Sequence, residues 1–317
     1  MTIDLSIELR SLQPASEDAS FRRYFRASTA HDSFVVMDAP PESEEIEPFI
    51  AISGAIGNVG AHTPKIFAQD IPRGFLLLED LGIRTYLDEL PENAPKLYSE
   101  AISALLSIQT GHLQEPGFDL PEYDETRLKD EMSLFDIWFI NKHLGIEIST
   151  ESQQALQATK ALLVRECLAQ PQVWVHRDYH SRNLMVTDDN SPGVIDFQDM
   201  VLGPIAYDLA SIFKDCYIEW PRQQQLQWLR EYHSLVHSKL SISPFSFDQL
   251  VRWYDMAGLQ RHLKVLGIFC RLYYRDNKSN YLKDLPLVAK YTLEAIELYP
   301  ELSGFKRHFA NSIESVL

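Results

Sequence analysis

The chain has 317 residues, of which 45% are hydrophobic and 23% are charged, and its formal net charge is −16. This composition provides enough apolar residues for a large core, and it disfavours broad binding to nucleic acids or anionic membranes, which requires basic surfaces. We find no run of about 18 uncharged apolar residues and no basic-then-apolar start, so we expect neither a membrane span nor a signal peptide. The three cysteines are widely spaced, which favours buried thiols in a reducing cytoplasm over a disulfide or zinc framework.

The first part of the chain, to about Leu78, is predicted to consist mainly of strands. Residues 20–28 and 32–40 are short β-like runs, and residues 74–80 form an apolar strand that ends in acidic residues. Between them, residues 40–57 predict a helix with an acidic first turn, which the positive end of the helix dipole stabilises.

From about Ile83 onward the pattern becomes mostly helical. Apolar residues at a spacing of three and four predict amphipathic helices over residues 94–109, 125–144 and 151–168. Thr150 and Gln153 predict a capping box at the start of the third helix. Short strands are predicted to interrupt the helices at residues 173–176, 184–186 and 193–196.

The order of these elements predicts a two-lobed α+β chain. We assign residues 1–78 to a small β-rich N-terminal lobe, residues 79–82 to a hinge, and residues 83–317 to a large helical C-terminal lobe.

The segment HRDYHSRN, residues 176–183, carries side chains at a specific spacing. Asp178 comes just after an apolar strand, so its carboxylate lies on a loop where it can face an attacking hydroxyl. Asn183 and Asp196 stand at opposite ends of the predicted hairpin strands, so folding of the hairpin brings the amide oxygen and the carboxylate together. Phosphoryl transfer needs such a set, because a carboxylate orients the nucleophile and oxygen ligands hold Mg²⁺ against the phosphates.

This pattern resembles the protein-kinase catalytic loop, H-R-D-x-x-x-x-N, followed by the aspartate that binds magnesium. The resemblance implies that Asp178 accepts the proton of the acceptor hydroxyl, that Asn183 and Asp196 hold Mg²⁺, and that ATP is the phosphate donor. His176 is expected to give structural support to the loop. The alternative is a polar loop between core strands, in which His176 is an ordinary buried histidine.

The segment after Asp196 narrows the class of acceptor. Only FQDMVLGPIAYDLASIF precedes the next helix, which leaves no room for an activation segment that binds a peptide. The region resembles the aminoglycoside phosphotransferase and choline kinase superfamily, which has the protein-kinase-like fold and phosphorylates small hydroxylated molecules. By that resemblance Asp208 braces the catalytic loop by accepting hydrogen bonds, although an ordinary first-turn helix aspartate is the alternative.

A closer resemblance is to bacterial kinases of cell-wall recycling, the anomeric N-acetylmuramate and N-acetylglucosamine kinases. It covers the chain from about Ala15 to Tyr281, and it is carried in order by SEDASFRRYFR, FVVMDAPPE, GFLLLEDLG, VHRDYHSRNLM, GVIDFQDMVLGPIAYDL and GLQRHLKVLGIFCRL. The resemblance implies transfer of the γ-phosphate of ATP to the C1 hydroxyl of the sugar. We expect a cytoplasmic monomer whose partners are ATP and the sugar.

The nucleotide side departs from the kinase pattern in two ways. Residues 16–26 stand where kinases have a glycine-rich loop but contain no glycine, and Met37 stands where kinases have a phosphate-pairing lysine. The candidate nucleotide contacts are the Ser20 hydroxyl, Arg23, and the hinge backbone at Glu79 and Leu81.

The positive charge over the phosphates has several candidate sources. Arg22, Arg23 or Lys65 can supply it, or the phosphates rely more on magnesium. For the two arginines, a solvated basic turn is the alternative.

Sugar recognition requires donors and acceptors near Asp178. The candidate side chains are His180, Arg182, Asp199, Arg261 and His262, with Lys264 one turn beyond. A lactyl carboxylate suits a bidentate arginine, although Arg261 in an ion pair within the helical part is the alternative. Aromatic residues that a sugar can stack against are Trp138, Trp174, Trp220 and Tyr254, although aromatics at helical spacing are more often part of a core.

Two other functions remain open at this point. An acidic chain also attracts cationic acceptors such as aminoglycosides or choline. Carboxylates clustered near Asp178 would favour such an acceptor, whereas Arg261 and His262 facing it would favour an acidic sugar. The third possibility is an inactive, kinase-like binding protein, which Met37 supports and the intact Asp178, Asn183 and Asp196 oppose.

Overall fold

The computed structural model of the chain describes residues 10–16, 21–111 and 119–317. Contacts within the chain divide it into two compact units. The first unit comprises Met1–Phe118 and Arg182–Asp199, and the second comprises Asp119–Ser181 and Met200–Leu317.

The first unit is built on a five-stranded antiparallel sheet with the order β1-β2-β3-β5-β4. Its strands are β1 (Ser11–Ser16), β2 (Arg23–Ser28), β3 (Ser33–Asp38), β4 (Ile66–Asp70) and β5 (Phe75–Glu79), and its helices are α1 (Glu47–Asn58), α2 (Tyr86–Gln109) and the 3-10 turn Ile71–Arg73. In β5, Leu76 and Leu78 are buried and alternate with more exposed neighbours, as a strand with one face on a core requires. The predicted strands and the predicted helix in residues 40–57 are confirmed.

Helix α2 begins earlier than the sequence pattern predicted. Thr85 caps it, because the Thr85 side chain accepts from the Asp88 N–H and the Asp88 carboxylate accepts from the Thr85 N–H at 2.9 Å. The helix is kinked at Asn93, shortly before Pro95. The periodic pattern from residue 94 onward therefore captured only the part beyond the kink.

The hairpin of β7 (Leu184–Met185) and β8 (Gly193–Val194) belongs to the first unit. The Val194 N–H donates to the His62 carbonyl at 2.7 Å, and the Val186 N–H donates to the Arg84 carbonyl at 2.9 Å. These backbone bonds connect the hairpin to the first unit, which therefore divides from the second unit elsewhere than the predicted lobes do. The hinge at residues 79–82 stays a prediction.

The second unit is mostly helical. It contains α3 (Glu125–Leu134), a π-helical segment (Phe135–His143), α4 (Thr150–Leu168), α5 (Tyr207–Phe213), α6 (Arg222–Lys239), α7 (Phe247–Asp276), α8 (Leu285–Leu298), α9 (Ser303–Glu314), the 3-10 turns Ser279–Asp284 and Pro300–Leu302, and the antiparallel pair of β6 (Gln172–Val175) and β9 (Val201–Pro204). Helix α7 packs against α3, α4, α5, α6 and α8. Gly267 allows α7 to approach the end of α3 closely, because a Cβ at this position would lie 2.2 Å from the backbone of Leu134.

Several details differ from the expectations. The segment 125–144 is not one α-helix, because it changes to π-helical geometry at Phe135. Helix α4 is capped by Ser149, whose side chain accepts from the Ser152 N–H, so the predicted Thr150 capping box is wrong by one residue. The thiols of Cys167, Cys216 and Cys270 are free and buried, as predicted. In the described part of the chain, none of the helices has the length and apolar composition that a membrane span needs.

Candidate active site

The loop that carries Asp178 follows β6 in the second unit, and one carboxylate binds the backbone at its start. Asp208, in the first turn of α5, accepts from the His176 N–H at 2.7 Å and from the Arg177 N–H at 3.0 Å. Burial raises the pKa of Asp208 to about 7, against the lowering effect of these two bonds. The bracing contact that the resemblance implied for Asp208 is present, and it fixes the backbone that immediately precedes Asp178.

Asp178 is surrounded by positive charge. Burial alone would raise the pKa of this carboxyl, but Lys264, His180, Arg261 and Arg177 together lower it below its ordinary value. Asp178 therefore stays ionised throughout the ordinary pH range. Such a carboxylate is a weak base, so its larger contribution is to orient a hydroxyl that it accepts in a hydrogen bond.

A second carboxylate, Glu131 on α3, organises these cations. It accepts from Arg177 Nη2 at 2.6 Å and pairs with Lys264 Nζ at 3.1 Å, while Gln260 Nε2 donates to it at 3.3 Å. The Tyr123 hydroxyl also donates to Glu131. Glu131 is thus fully engaged in positioning its partners.

Arg261 and His262 are neighbours on α7 but lie in different surroundings. Arg261 Nη1 donates to Cys216 Sγ at 3.2 Å, and Arg261 acts electrostatically on Asp178. His262 is fully buried, stacks on the Tyr291 ring at 5.4 Å, and has Nε2 3.3 Å from the Lys214 carbonyl. Burial lowers the pKa of His262 well below its ordinary value. The expectation that His262 faces the acceptor together with Arg261 is therefore corrected, because adjacent helix positions point in different directions.

The end of the catalytic loop is tied to a segment that follows α5. The buried Asp215 carboxylate accepts from the Ser181 N–H at 2.8 Å and from the Tyr217 N–H at 3.1 Å. The rings of His180 and Tyr217 meet edge to face, with their centroids 5.3 Å apart. The Tyr217 ring also lies against the Phe269 ring of α7, with the two ring centroids 6.4 Å apart. These contacts place a half-buried aromatic ring beside the loop that carries Asp178.

The candidate magnesium ligands belong to the first unit. Asn183 Nδ2 donates to Asp196 Oδ2 at 3.2 Å, and Gln198 Nε2 donates to Asp196 Oδ1 at 2.7 Å. The hairpin therefore brings Asn183 and Asp196 together, as its spacing predicted. Asp196 has a φ of 62°, which is uncommon for a residue other than glycine and is found at functional sites.

This pair fits Mg²⁺ by the chemistry of its donors. One carboxylate and one amide oxygen are hard ligands, and Mg²⁺ is commonly held by one or two protein carboxylates with phosphates and water completing its shell. Among the described residues, no group of three or more His, Cys, Asp and Glu side chains is arranged to hold a metal. The donor set therefore fits an ion that arrives with a nucleotide rather than an all-protein cage.

The segment after β5 is fixed by an ion pair within the first unit. Arg26 on β2 binds Asp80 with two nitrogens, at 2.7 and 3.0 Å, and its Nη2 also donates to the Gly82 carbonyl at 2.8 Å. Asp80 accepts further bonds from the Ser33 hydroxyl at 2.5 Å and the Gly82 N–H at 3.0 Å. The backbone on both sides of Asp80, where adenine is expected to bind, is thus held in one conformation.

The predicted hinge contacts flank this ion pair. Glu79 uses its side chain to accept from the Lys65 N–H at 3.2 Å. Leu81 packs against the hairpin of β7 and β8, because a Cβ on Gly193 would lie 2.7 Å from Leu81 Cδ1. Glycine at position 193 therefore allows the hinge side chain and the hairpin to approach closely.

The two arginines near the phosphate loop differ in accessibility. Arg22 pairs with Glu44 at 2.8 Å and its side chain is 10% exposed, whereas Arg23 pairs with Asp38 and its side chain is 63% exposed. Met37 is completely buried in β3, so no charge replaces the usual lysine at that position. Ser20 lies outside the described residues.

Two predicted sugar contacts lie in the first unit. Arg182 is half-buried and Asp199 is exposed. Asp178, His180 and Arg261 belong to the second unit, whose contacts bring those three together. The roles of Arg182 and Asp199 stay predictions.

Comparison with known proteins agrees with this geometry. A sequence profile described as the phosphotransferase enzyme family matches residues 11–241. The chain belongs to this family.

Relatives of this phosphotransferase carry a specific name. An N-acetylmuramate/N-acetylglucosamine kinase from Pseudomonas aeruginosa is 45% identical over 293 residues, covering 92% of this chain and 86% of that protein. The protein of the same name from Pseudomonas putida is 45% identical over 294 residues, with 92% and 86% covered. Among solved structures, the ADP-bound aminoglycoside phosphotransferase APH(2'')-Ib aligns with a TM-score of 0.60 at 14% identity, covering 94% of this chain and 95% of that one. The predicted α+β, protein-kinase-like fold is confirmed.

Some residues of the phosphotransferase site were not found from the sequence. Glu131, Asp215 and Asp80 are carboxylates that orient other residues rather than the substrate. No short motif marks them, because each has an important partner far away in the chain: Arg177 is 46 positions from Glu131, Arg26 is 54 from Asp80, and Ser181 is 34 from Asp215. The strand-end position of Asp80 in LED-LG was the one local signal available.

Proposed function

We propose that this chain is an ATP- and magnesium-dependent kinase that phosphorylates the C1 hydroxyl of N-acetylmuramate and N-acetylglucosamine. The product is the sugar 1-phosphate, which suits the recycling of cell-wall precursors. The proposal rests mainly on the two relatives of that name at 45% identity, whose length the chain covers to 86%. A nucleotide donor is in keeping with the ADP found in a structural neighbour of the same fold.

In the proposed reaction, Asp178 accepts a hydrogen bond from the C1 hydroxyl and aims its oxygen at the γ-phosphorus. The hydroxyl proton passes to Asp178 as the new O–P bond forms and the bond to the ADP oxygen breaks. Asn183 and Asp196 would hold Mg²⁺, which neutralises charge on the phosphates when bound. Arg23, whose side chain is the more accessible of the two arginines, is the proposed phosphate contact in place of a strand lysine.

A cationic acceptor is disfavoured by the surroundings of Asp178. Choline and aminoglycosides carry positive charge, and the side chains that act on Asp178 are Lys264, His180, Arg261 and Arg177. The neighbouring carboxylate, Glu131, is already engaged by Arg177 and Lys264. The positive charge around Asp178 would repel a cationic acceptor, so an electrically neutral or acidic sugar is favoured.

Phosphorus NMR of the purified protein with Mg-ATP tests the proposal directly. Separate reactions contain N-acetylmuramate, N-acetylglucosamine, choline or an aminoglycoside. A new phosphate ester coupled to the anomeric proton is the expected result with the two sugars. If ADP forms only with choline or the aminoglycoside, the kinase activity is confirmed and the sugar is rejected as the acceptor.

A further inference from the structure

Arg261 is a buried cation without a carboxylate partner among the described residues. Only 3% of its surface is exposed. Its one hydrogen bond in that part of the chain is to Cys216 Sγ, and burial raises the pKa of this thiol, so the partner is neutral. An arginine has five N–H donors, and a buried charge without an opposite charge destabilises a folded protein. The guanidinium is therefore prepared to receive an anion.

The neighbouring cations do not share this property. Arg177 and Lys264 both contact Glu131, at 2.6 and 3.1 Å. Arg261 influences Asp178 electrostatically but forms no ion pair with it within 4.0 Å. Arg261 also acts electrostatically on the buried Asp208, but no carboxylate of the described residues forms an ion pair with its guanidinium. This guanidinium belongs to the same cluster as Asp178, the residue proposed to orient the acceptor hydroxyl.

We propose that Arg261 binds the carboxylate of an acidic acceptor sugar and so sets the preference of the site between N-acetylmuramate and N-acetylglucosamine. This inference rests on the proposed function. The two sugars differ in the lactyl ether of N-acetylmuramate, which ends in a carboxylate. A guanidinium offers a carboxylate two parallel N–H bonds, and burial strengthens the attraction because little water competes. N-acetylglucosamine lacks this group, so Arg261 affects it only through Asp178, as it does any acceptor.

The first test compares the two sugars in the variant Arg261→Met, which removes the charge and keeps an unbranched side chain. Hydrogen bonds to a charged group contribute enough that kcat/KM for N-acetylmuramate should fall at least about 30-fold. For N-acetylglucosamine we expect a change of less than about threefold. Arg252→Met is the matched control, because it removes the same charge from the same helix at a residue paired with Glu166. It should leave the ratio of the two kcat/KM values unchanged.

The second test alters the substrate instead of the protein, so it does not depend on the folding of a variant. The unmodified chain is assayed with N-acetylmuramate and with its lactyl methyl ester, which has nearly the same shape and no charge. We expect the acid to be preferred at least about tenfold in kcat/KM. An ester used as well as the acid would overturn the role of Arg261.

The remaining outcomes separate this inference from the proposed function. An equal fall for both sugars in Arg261→Met would show that Arg261 supports Asp178, and the carboxylate role would be rejected while the kinase stands. If the unmodified chain phosphorylates neither sugar, the proposed function is rejected and the inference with it.

Discussion

Arg177 has a φ of 75° while its Nη2 atom donates to Oε1 of Glu131 at 2.6 Å. Glycine adopts a positive φ readily, and a side chain there costs about 1–2 kcal/mol. The ion pair with Glu131 thus offsets a strained backbone directly before Asp178.

The strain at Arg177 predicts an unusual order of stability. Arg177→Gly and Arg177→Ala both remove the ion pair with Glu131, but only alanine retains a Cβ at positive φ. We expect Arg177→Gly to be the more stable variant by about 1 kcal/mol, and both to be less stable than the unmodified chain. Urea unfolding followed by circular dichroism measures the difference. An alanine variant as stable as the glycine variant would mean that the loop relaxes when the side chain is lost.

Substitutions of Asp178 and Asp196 are predicted to impair different steps of the reaction. Asp178→Asn should lower kcat about 10³-fold with little change in nucleotide affinity, because the amide is a poor proton acceptor of nearly the same shape. Asp196→Ala should instead weaken magnesium-dependent nucleotide binding about tenfold or more. Titration calorimetry with Mg-ADP and steady-state kinetics distinguish the two. Near-normal turnover in Asp178→Asn would refute its assignment.

The ion pair between Arg26 and Asp80 is predicted to control nucleotide affinity. Asp80→Asn breaks a paired charge and frees the backbone at Gly82, so we expect the KM for ATP to rise about five- to tenfold. The KM for the acceptor should not change. Asp188→Asn is a suitable control, because Asp188 forms an exposed pair with Arg84 at 3.5 Å in the same unit. Equal ATP KM values in both variants would contradict the prediction.

Asp215 is predicted to be a positioning residue for the acceptor. Asp215→Asn leaves one acceptor oxygen for two N–H groups, at Ser181 and Tyr217, so the Tyr217 ring should lose its fixed position. We expect the acceptor KM to rise about fivefold with the KM for ATP unchanged. A purely structural defect would lower the melting temperature and affect both substrates. Asp248→Asn, at an exposed position on α7, controls for the loss of charge.

The buried Asp255 predicts sensitivity to acid. Its carboxylate accepts from Lys214 at 2.8 Å, from Arg222 at 2.7 and 2.8 Å, and from the Tyr299 hydroxyl at 2.7 Å. Burial would raise its pKa, but Lys214 and Arg222 outweigh burial and lower it to about 2. Because this value lies below the unfolded value of about 3.9, the carboxylate stabilises the fold above pH ~4.

That contribution should disappear as the pH falls from about 4 to 2. We expect a loss of about 2–3 kcal/mol of unfolding free energy in this window from Asp255 alone. The difference in stability between the unmodified chain and Asp255→Asn, measured by urea unfolding at pH 6, 4 and 2.5, should shrink accordingly. A constant difference across these pH values would place the stabilisation elsewhere.

The elements with strong local signals were predicted from the sequence. The strands β2, β3 and β5 and the helices α1 and α4 follow from apolar periodicity, which depends only on neighbouring residues. The strands β1, β4 and β9 were missed. Strands β1 and β9 contain proline, which is uncommon inside strands, and β9 pairs with β6 across the whole of residues 176–200.

The sequence by itself determined the candidate chemistry of the site, because it supplies Asp178, Asn183 and Asp196 in the pattern that predicts phosphoryl transfer. The hairpin of β7 and β8 brings Asn183 and Asp196 together, and the catalytic and metal-binding roles stay predictions. The roles of orienting residues were decided only by the tertiary structure. Glu131 and Asp215 orient side chains or backbone groups far away in the chain, and no local pattern records such a partner. The different surroundings of Arg261 and His262 also depended on packing, because adjacent helix positions face different neighbours: Cys216 for Arg261, and the Tyr291 ring with the Lys214 carbonyl for His262.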